Sequence, residues 1–172
     1  MISKRNYITV FLLASCSIAW VACTQTRQPC NTPTIAGLNI ECVHFPTDTS
    51  KVITVDTALP AAVFIAITGS GKQEVIDSLY NSLFTLSLSP VDTVCRWMMA
   101  TDTLRTSLYD TITFFYQRNL QFLSNACGYT YFYTLDSVAT SHFNIDSAVI
   151  SNASVTNDVN TEHVKLYIHP DY

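Results

Sequence analysis

Charge is what this chain has least of. Only 13% of its 172 residues are Asp, Glu, Lys or Arg, roughly half the share of an ordinary soluble domain. The nine basic residues are scattered, with no stripe along any segment. Nucleic acid needs such a stripe, so it is excluded as a partner. Helical periodicity is missing from Ile35 onwards, because no stretch there repeats its apolar residues at a spacing near 3.6. There is no Cys-x-x-Cys, and so no redox motif of the thioredoxin type. His44, His142, His163 and His169 show neither zinc-ligand spacing nor a glutamate between a close pair; they read as satisfied surface histidines, and no metal or cofactor is expected. No nucleophile-elbow sequence supports a Ser-His-Asp site, which leaves a hydrolase of unrecognised type only as an alternative. Gly69-Ser70-Gly71-Lys72 is not a phosphate loop. Ala66 stands where the first glycine is required, and Gln73 where a magnesium-binding hydroxyl belongs. It reads as a hairpin turn.

The first residues carry a different signal. Lys4 and Arg5 form a basic start, Tyr7 to Ala22 is uncharged and mostly apolar, and Val21-Ala22-Cys23 closes the run. That is the build of a secretory signal peptide. A cysteine at the cut makes it a lipoprotein signal, in which the thiol is acylated and becomes the first mature residue. The apolar run is shorter than the roughly 20 residues needed to span a bilayer. Leu13-Ala14-Ser15-Cys16 competes as the lipid site and has the better residue types. Cutting there leaves a short apolar core before it and an apolar stub, Ile18 to Ala22, after it. Cys23 is the expected attachment site. The expected organisation is a signal peptide over residues 1–22, a lipidated tether over 23–33 and one domain over 34–172. One acyl chain holds a protein to a membrane only marginally, whereas the two or three on a lipoprotein cysteine hold it stably. The lipid bilayer is therefore the first expected partner.

What remains is built for strands. Ser and Thr number 38, and Phe and Tyr nine each, a composition that suits β-structure outside the cytoplasm. Apolar residues alternate at period two in Leu38 to Cys42, Val63 to Ile67, Leu83 to Leu88, Cys95 to Met99, Ile112 to Tyr116, Tyr129 to Leu135 and Val164 to Ile168, and Ile145 to Ile150 reads as a further strand. Val63 to Ile67 reads as buried on both faces, and His163 as outward-facing beside Val164. Eight or nine short strands with turns every ten or so residues predict an all-β antiparallel β-sandwich, immunoglobulin-like in architecture. Cys42, Trp97 and Cys127 match the residue types of an immunoglobulin domain but not its spacing.

Four cysteines follow Cys23, an even number that points to disulfides in an exported chain. Cys30, beside two prolines, and Cys127, in Asn125-Ala126-Cys127-Gly128, sit at turns and are the expected pair. Cys42 and Cys95 fall on apolar strand faces and either pair with each other or stay as buried thiols. Tyr129, Tyr131 and Tyr133 form a period-two aromatic stripe, the best candidate for ligand contact; packing with the hydroxyls at the rim is the simpler alternative.

Eight of the ten aspartates after Cys23 precede Ser or Thr, and in all but Asp48 an aliphatic residue follows. One reading places each Asp in a turn, bonding its own backbone two residues on, with the strand starting at the aliphatic residue. The triplet also resembles the O-glycosylation acceptor of exported Bacteroidota proteins. Thr57, Ser78, Thr93, Thr103, Thr111, Ser137 and Ser147 are the candidate acceptors.

Taken together, Cys23 followed by Cys30-Asn31-Thr32-Pro33, then Asp110-Thr111-Ile112-Thr113, Asn125-Ala126-Cys127-Gly128-Tyr129 and Asn144-Ile145-Asp146 with a last strand near Val164 to Ile168, resemble an uncharacterised lipoprotein family of Bacteroidota. The resemblance implies a β-sandwich and no activity. Thr24-Gln25-Thr26-Arg27-Gln28 lacks the acidic residues common after the lipid cysteine of surface-exported lipoproteins, so the resemblance implies the periplasmic face of the outer membrane. The expected function is a non-enzymatic binding or structural accessory of the cell envelope, with an envelope protein or a glycan as partner. A carbohydrate- or small-ligand-binding lipoprotein is the alternative.

Overall fold

The computed structural model describes residues 29–44, 55–68, 74–103 and 108–169. Two compact units are distinguished, Met1–Cys30 and Asn31–Tyr172, and every described strand lies in the second. Among the described residues there is no helix, and so none long and apolar enough to cross a membrane. The strands are β1 (Gly37–His44), β2 (Val55–Asp56), β3 (Ala62–Ile67), β4 (Val75–Ser78), β5 (Leu83–Ser87), β6 (Val94–Ala100), β7 (Asp110–Ser124), β8 (Gly128–Thr140), β9 (Ile145–Ile150), β10 (Ser154–Val155) and β11 (Val164–Ile168).

They form two sheets. In the five-stranded sheet β1 is central, with β11 and then β9 on one side and β5 and β2 on the other. The six-stranded sheet runs β10-β8-β7-β6-β3-β4. All pairs are antiparallel except β1 with β11, which run parallel from Ile40↔Val164 to Val43↔Tyr167. That pair corrects the purely antiparallel expectation. Periodicity reports which face a residue takes and carries no information on strand direction.

All eight predicted segments are strands. The additional ones are β2 and β10, two residues each, and β4, which were too short or too polar to leave a pattern. The alternation decides the core. Leu38, Ile40 and Cys42 on β1, Phe84 and Leu86 on β5, and Leu166 and Ile168 on β11 join Phe64, Trp97, Met99, Ile112, Phe114 and Tyr116 of the other sheet in one buried cluster. Phe64 and Phe84 meet with ring centroids 4.7 Å apart. Truncating a fully buried aromatic such as Phe114 or Trp97 costs about 3–5 kcal/mol by loss of burial and the cavity left behind.

Two expectations on facing are corrected. β3 is not buried on both faces throughout, since Ile65 is half-buried and Ile67 is exposed at its end. His163 is completely buried. It precedes β11, and its ring substitutes for a ladder partner: the Asn39 amide donates to its Nδ1 (3.0 Å), and the His163 amide donates to the Asn39 carbonyl (3.0 Å). The Gly69–Lys72 turn lies outside the described residues, and the strands flanking it, β3 and β4, pair antiparallel.

Candidate functional site

The longest hairpin, β7 with β8, is the feature that leaves the body of the sheet. β6 pairs with β7 only from Asp110 to Phe115, and β10 pairs with β8 only at Tyr133 and Thr134. Residues 117–124 and 128–132 therefore form a two-stranded arm, roughly 25 Å long at the usual rise per residue. Two-stranded hairpins are marginal by themselves in water. A turn over Asn125, Ala126 and Cys127 closes this one, with the Cys127 amide donating to Ser124 Oγ (3.0 Å) and Gly128 at φ 72°. Cys127 is disulfide-bonded to Cys30, the expected pair.

Opposed residues of an antiparallel pair share a face, and here the pairs are Tyr116↔Leu135, Arg118↔Tyr133, Leu120↔Tyr131 and Phe122↔Tyr129. The tyrosine stripe thus lies on the face that is buried at its root and open at its tip. Tyr133 is buried, packs edge-on to Tyr116 (5.4 Å, 88°) and donates its hydroxyl to the Leu88 carbonyl (3.3 Å). Tyr131 is half-buried. Leu120, Phe122 and Tyr129 are 57%, 53% and 68% exposed, with the Phe122 and Tyr129 rings 5.1 Å apart. The packed reading holds at the root of the stripe, at Tyr133, and the tip at Tyr129 is open. The opposite face presents Gln117, Asn119, Gln121 and Thr130 together with the half-buried Phe132, which packs against the core, and the Thr130 hydroxyl donates to the Thr34 carbonyl.

A second feature is a cleft of about 540 Å³ lined by Ala66, Ile67, Glu74, Cys95, Arg96 and Trp97 among others. The Cys95 thiol in this lining is pushed up to about 12 by burial. Cys42 is raised further, again by burial. Both cysteines are free, which resolves the open alternative in favour of buried thiols. They belong to different sheets. A thiol held so far above neutrality is not an activated nucleophile.

The Asp-Ser/Thr pairs have several structural roles. Asp110 is 1% exposed at the start of β7. Its carboxylate accepts from Ser141 Oγ (2.8 Å) and from the amides of Phe143 and Asn144 (both 2.7 Å), closing the turn into β9. Asp136 and Asp146 are bulges. Phe115↔Ser137 is followed by Tyr116↔Leu135, and Tyr167↔Ser147 by Ile168↔Ile145, so each aspartate is the extra residue. Inward residues consequently switch from Tyr133 and Leu135 to Val138, and from Ile145 to Ala148 and Ile150. The turn expectation is corrected at these two positions and at Asp77, inside β4. The aspartate that caps its own backbone two residues on is Asp158, which accepts from the Asn160 amide (3.0 Å) and stands outside the repeat. Of the candidate acceptors, Thr93, Thr103 and Ser137 are exposed, while Ser78, Thr111 and Ser147 are half-buried. Thr57 is 8% exposed and hydrogen-bonded to His44 Nδ1, so as a candidate acceptor it does not face solvent.

Among the described residues no three His, Cys, Asp or Glu side chains gather as a metal site. Cys16 and Cys23 lie outside the described residues. Sequence reasoning noticed the tyrosines of Tyr129 to Leu135 but missed the arm as a unit, because its length depends on where the strands beside β7 and β8 stop.

Residues 64–168 match the model of a family of unknown function (DUF6452), and the chain belongs to that family. The match takes in the segments around Asp110, Cys127 and Asn144 but not those at Cys23 and Cys30. No curated protein and no solved structure matches the chain.

Proposed function

We propose that this DUF6452 protein is a lipid-anchored accessory of the cell envelope, held by acylated Cys23 at the outer membrane and facing the periplasm. Its domain is a β-sandwich, a reading supported by the single core to which both sheets contribute and by the Phe64–Phe84 contact between them. It acts by contact and without chemistry of its own. The observation that carries this reading is the arm, whose apolar side chains at Leu120, Phe122 and Tyr129 are open to solvent beyond the core. The suppressed Cys95 thiol in the cleft weighs in the same direction. The carbohydrate-binding alternative calls for a concave aromatic site; the tyrosines here lie along a two-stranded ribbon and are progressively uncovered. Glycosylation at Thr93, Thr103 or Ser137 is compatible with the same role, because those hydroxyls are accessible.

The test is cross-linking in intact envelopes followed by pull-down of the tagged chain, beside a Cys23→Ala control. An envelope component recovered with the wild type and lost with the control is the expected result. Equal recovery with both chains would remove the membrane from the account.

A further inference from the structure

The apolar face of the arm has a definable occupant. The tip is covalently bound through Cys127 to Cys30, and Cys30 lies only seven residues after Cys23 in the sequence. A fully extended chain covers at most about 3.3–3.6 Å per residue, so seven residues reach roughly 25 Å. If Cys23 carries the acyl chains, the end of the arm cannot stand farther than that from the bilayer surface.

Charge points the same way. All thirteen acidic residues lie outside residues 23–40 and 111–135; each of those stretches contains one arginine, Arg27 and Arg118, and no carboxylate. The rest of the chain after Cys23 is acidic, with five basic and thirteen acidic side chains. A surface that must approach phospholipid headgroups gains by excluding carboxylates, and these two stretches are the ones the disulfide ties together. Side-chain chemistry completes the match. Beyond Arg118, which is held by the Pro90 and Val91 carbonyls, one face carries Leu120, Tyr131, Phe122 and Tyr129, while the other carries Asn119 and Gln121 beside Phe132, which packs against the core; the exposed part is an amphipathic ribbon of the kind that lies in the boundary between headgroups and acyl chains.

We propose that the face bearing Leu120, Phe122 and Tyr129 rests in the interfacial layer of the bilayer that holds the acylated Cys23, making the arm a second membrane contact that orients the domain. The proposal rests on the lipid-anchored reading given above. A partner strand pairing with the open edges of the arm is the competing occupant, and the experiment separates the two.

The full-length chain carrying Phe122→Trp is purified with its lipid from the host envelope. It is reconstituted into phosphatidylethanolamine–phosphatidylglycerol vesicles with and without bromine on the acyl chains. Phe122 is exposed and the exchange is aromatic for aromatic, so folding is preserved; Val75→Trp, at an exposed site on β4 three strands from β7, is the reference. The expected result is that the emission added by Phe122→Trp falls about twofold or more in brominated vesicles, at the depth where interfacial aromatics sit, while that added by Val75→Trp is unchanged. An acylated chain that floats with vesicles but whose added emission is not quenched overturns the arm contact and leaves the anchor standing. Quenching that is equal at both positions also overturns it. An intact mass without acyl chains removes the tether, and with it both the anchor and this proposal.

Discussion

Cys95 illustrates how a side chain with reactive chemistry is made inert by its place in the fold. Its thiol sits under Trp97 and Tyr116, and desolvation outweighs the hydrogen bonds those side chains offer. With its pKa pushed up to about 12, it holds about a thousandfold less thiolate at neutral pH than a free cysteine. Maleimide applied to the native protein at pH 7.5 is expected to leave Cys42 and Cys95 unlabelled, and to label both after denaturation, read by intact mass. Rapid native labelling of Cys95 would reopen the cleft as a reactive site. His163 gives a second test at this scale. Burial lowers its pKa, offset in part by the Ser154 backbone and by the charges of Asp158 and Glu162. Its Nε2 has no hydrogen bond of good geometry, while Nδ1 must stay unprotonated to accept from the Asn39 amide. The folded state therefore binds its proton less readily than the unfolded chain. Stability from this group is complete above the unfolded value near 6.5. It is lost as pH falls from there towards the lower folded value. Melting curves from pH 7.5 to pH 5 should show that loss in the wild type and a flatter profile for His163→Gln. The sequence hid this residue because position 163 reads as the outward partner of Val164, and only the Asn39 pairing turns it inward.

Among the elements, the strands were legible and their irregularities were not. Leu38 to Cys42 and Cys95 to Met99 alternate plainly because one face of each meets the core. The bulges at Asp136 and Asp146 were visible only as an oddity, the recurrent Asp-Ser-aliphatic triplet. In a regular strand Asp and the aliphatic residue two positions on would share a face. Inserting one residue lets the Asp and Ser face out and the aliphatic residue face in. Deleting Asp136 should leave Leu135 and Val138 both facing inward, because the ladder then runs regularly from Phe115↔Ser137 to Tyr116↔Leu135, and urea unfolding should show a change of about 1 kcal/mol or less. A loss of about 2–3 kcal/mol, the size expected when a large apolar side chain leaves the core, would contradict this placement of the extra residue. The arm gives the other prediction at this scale. Cys127→Ser removes a cross-link closing about a hundred residues, which the chain-entropy model values at about 4–5 kcal/mol. Amide exchange should accelerate most over residues 117–132, ahead of β3 and β6, because the arm has no third strand to hold it.

Taken as a whole molecule, the chain combines one well-filled core with an extension that carries no carboxylate and exposes apolar side chains on one face. Composition and alternation were enough to read an all-β domain, since both follow from burial on one face of each strand. The parallel closure of β1 on β11 was not, because it joins segments more than a hundred residues apart whose pairing leaves no local mark. The arm was half legible: its tyrosines were noticed, and the switch from packed Tyr133 to open Tyr129 depends on where β6 and β10 stop. These parts make sense together if the membrane supplies the surface that the core does not. That makes the acyl group on Cys23 the point on which the account turns. The measurement is mass spectrometry of the N-terminal peptide of the chain isolated from native envelopes. The account requires a mature terminus at Cys23 carrying two or three acyl chains. An unacylated terminus, or acylation at Cys16 with residues 17–22 retained, would contradict it.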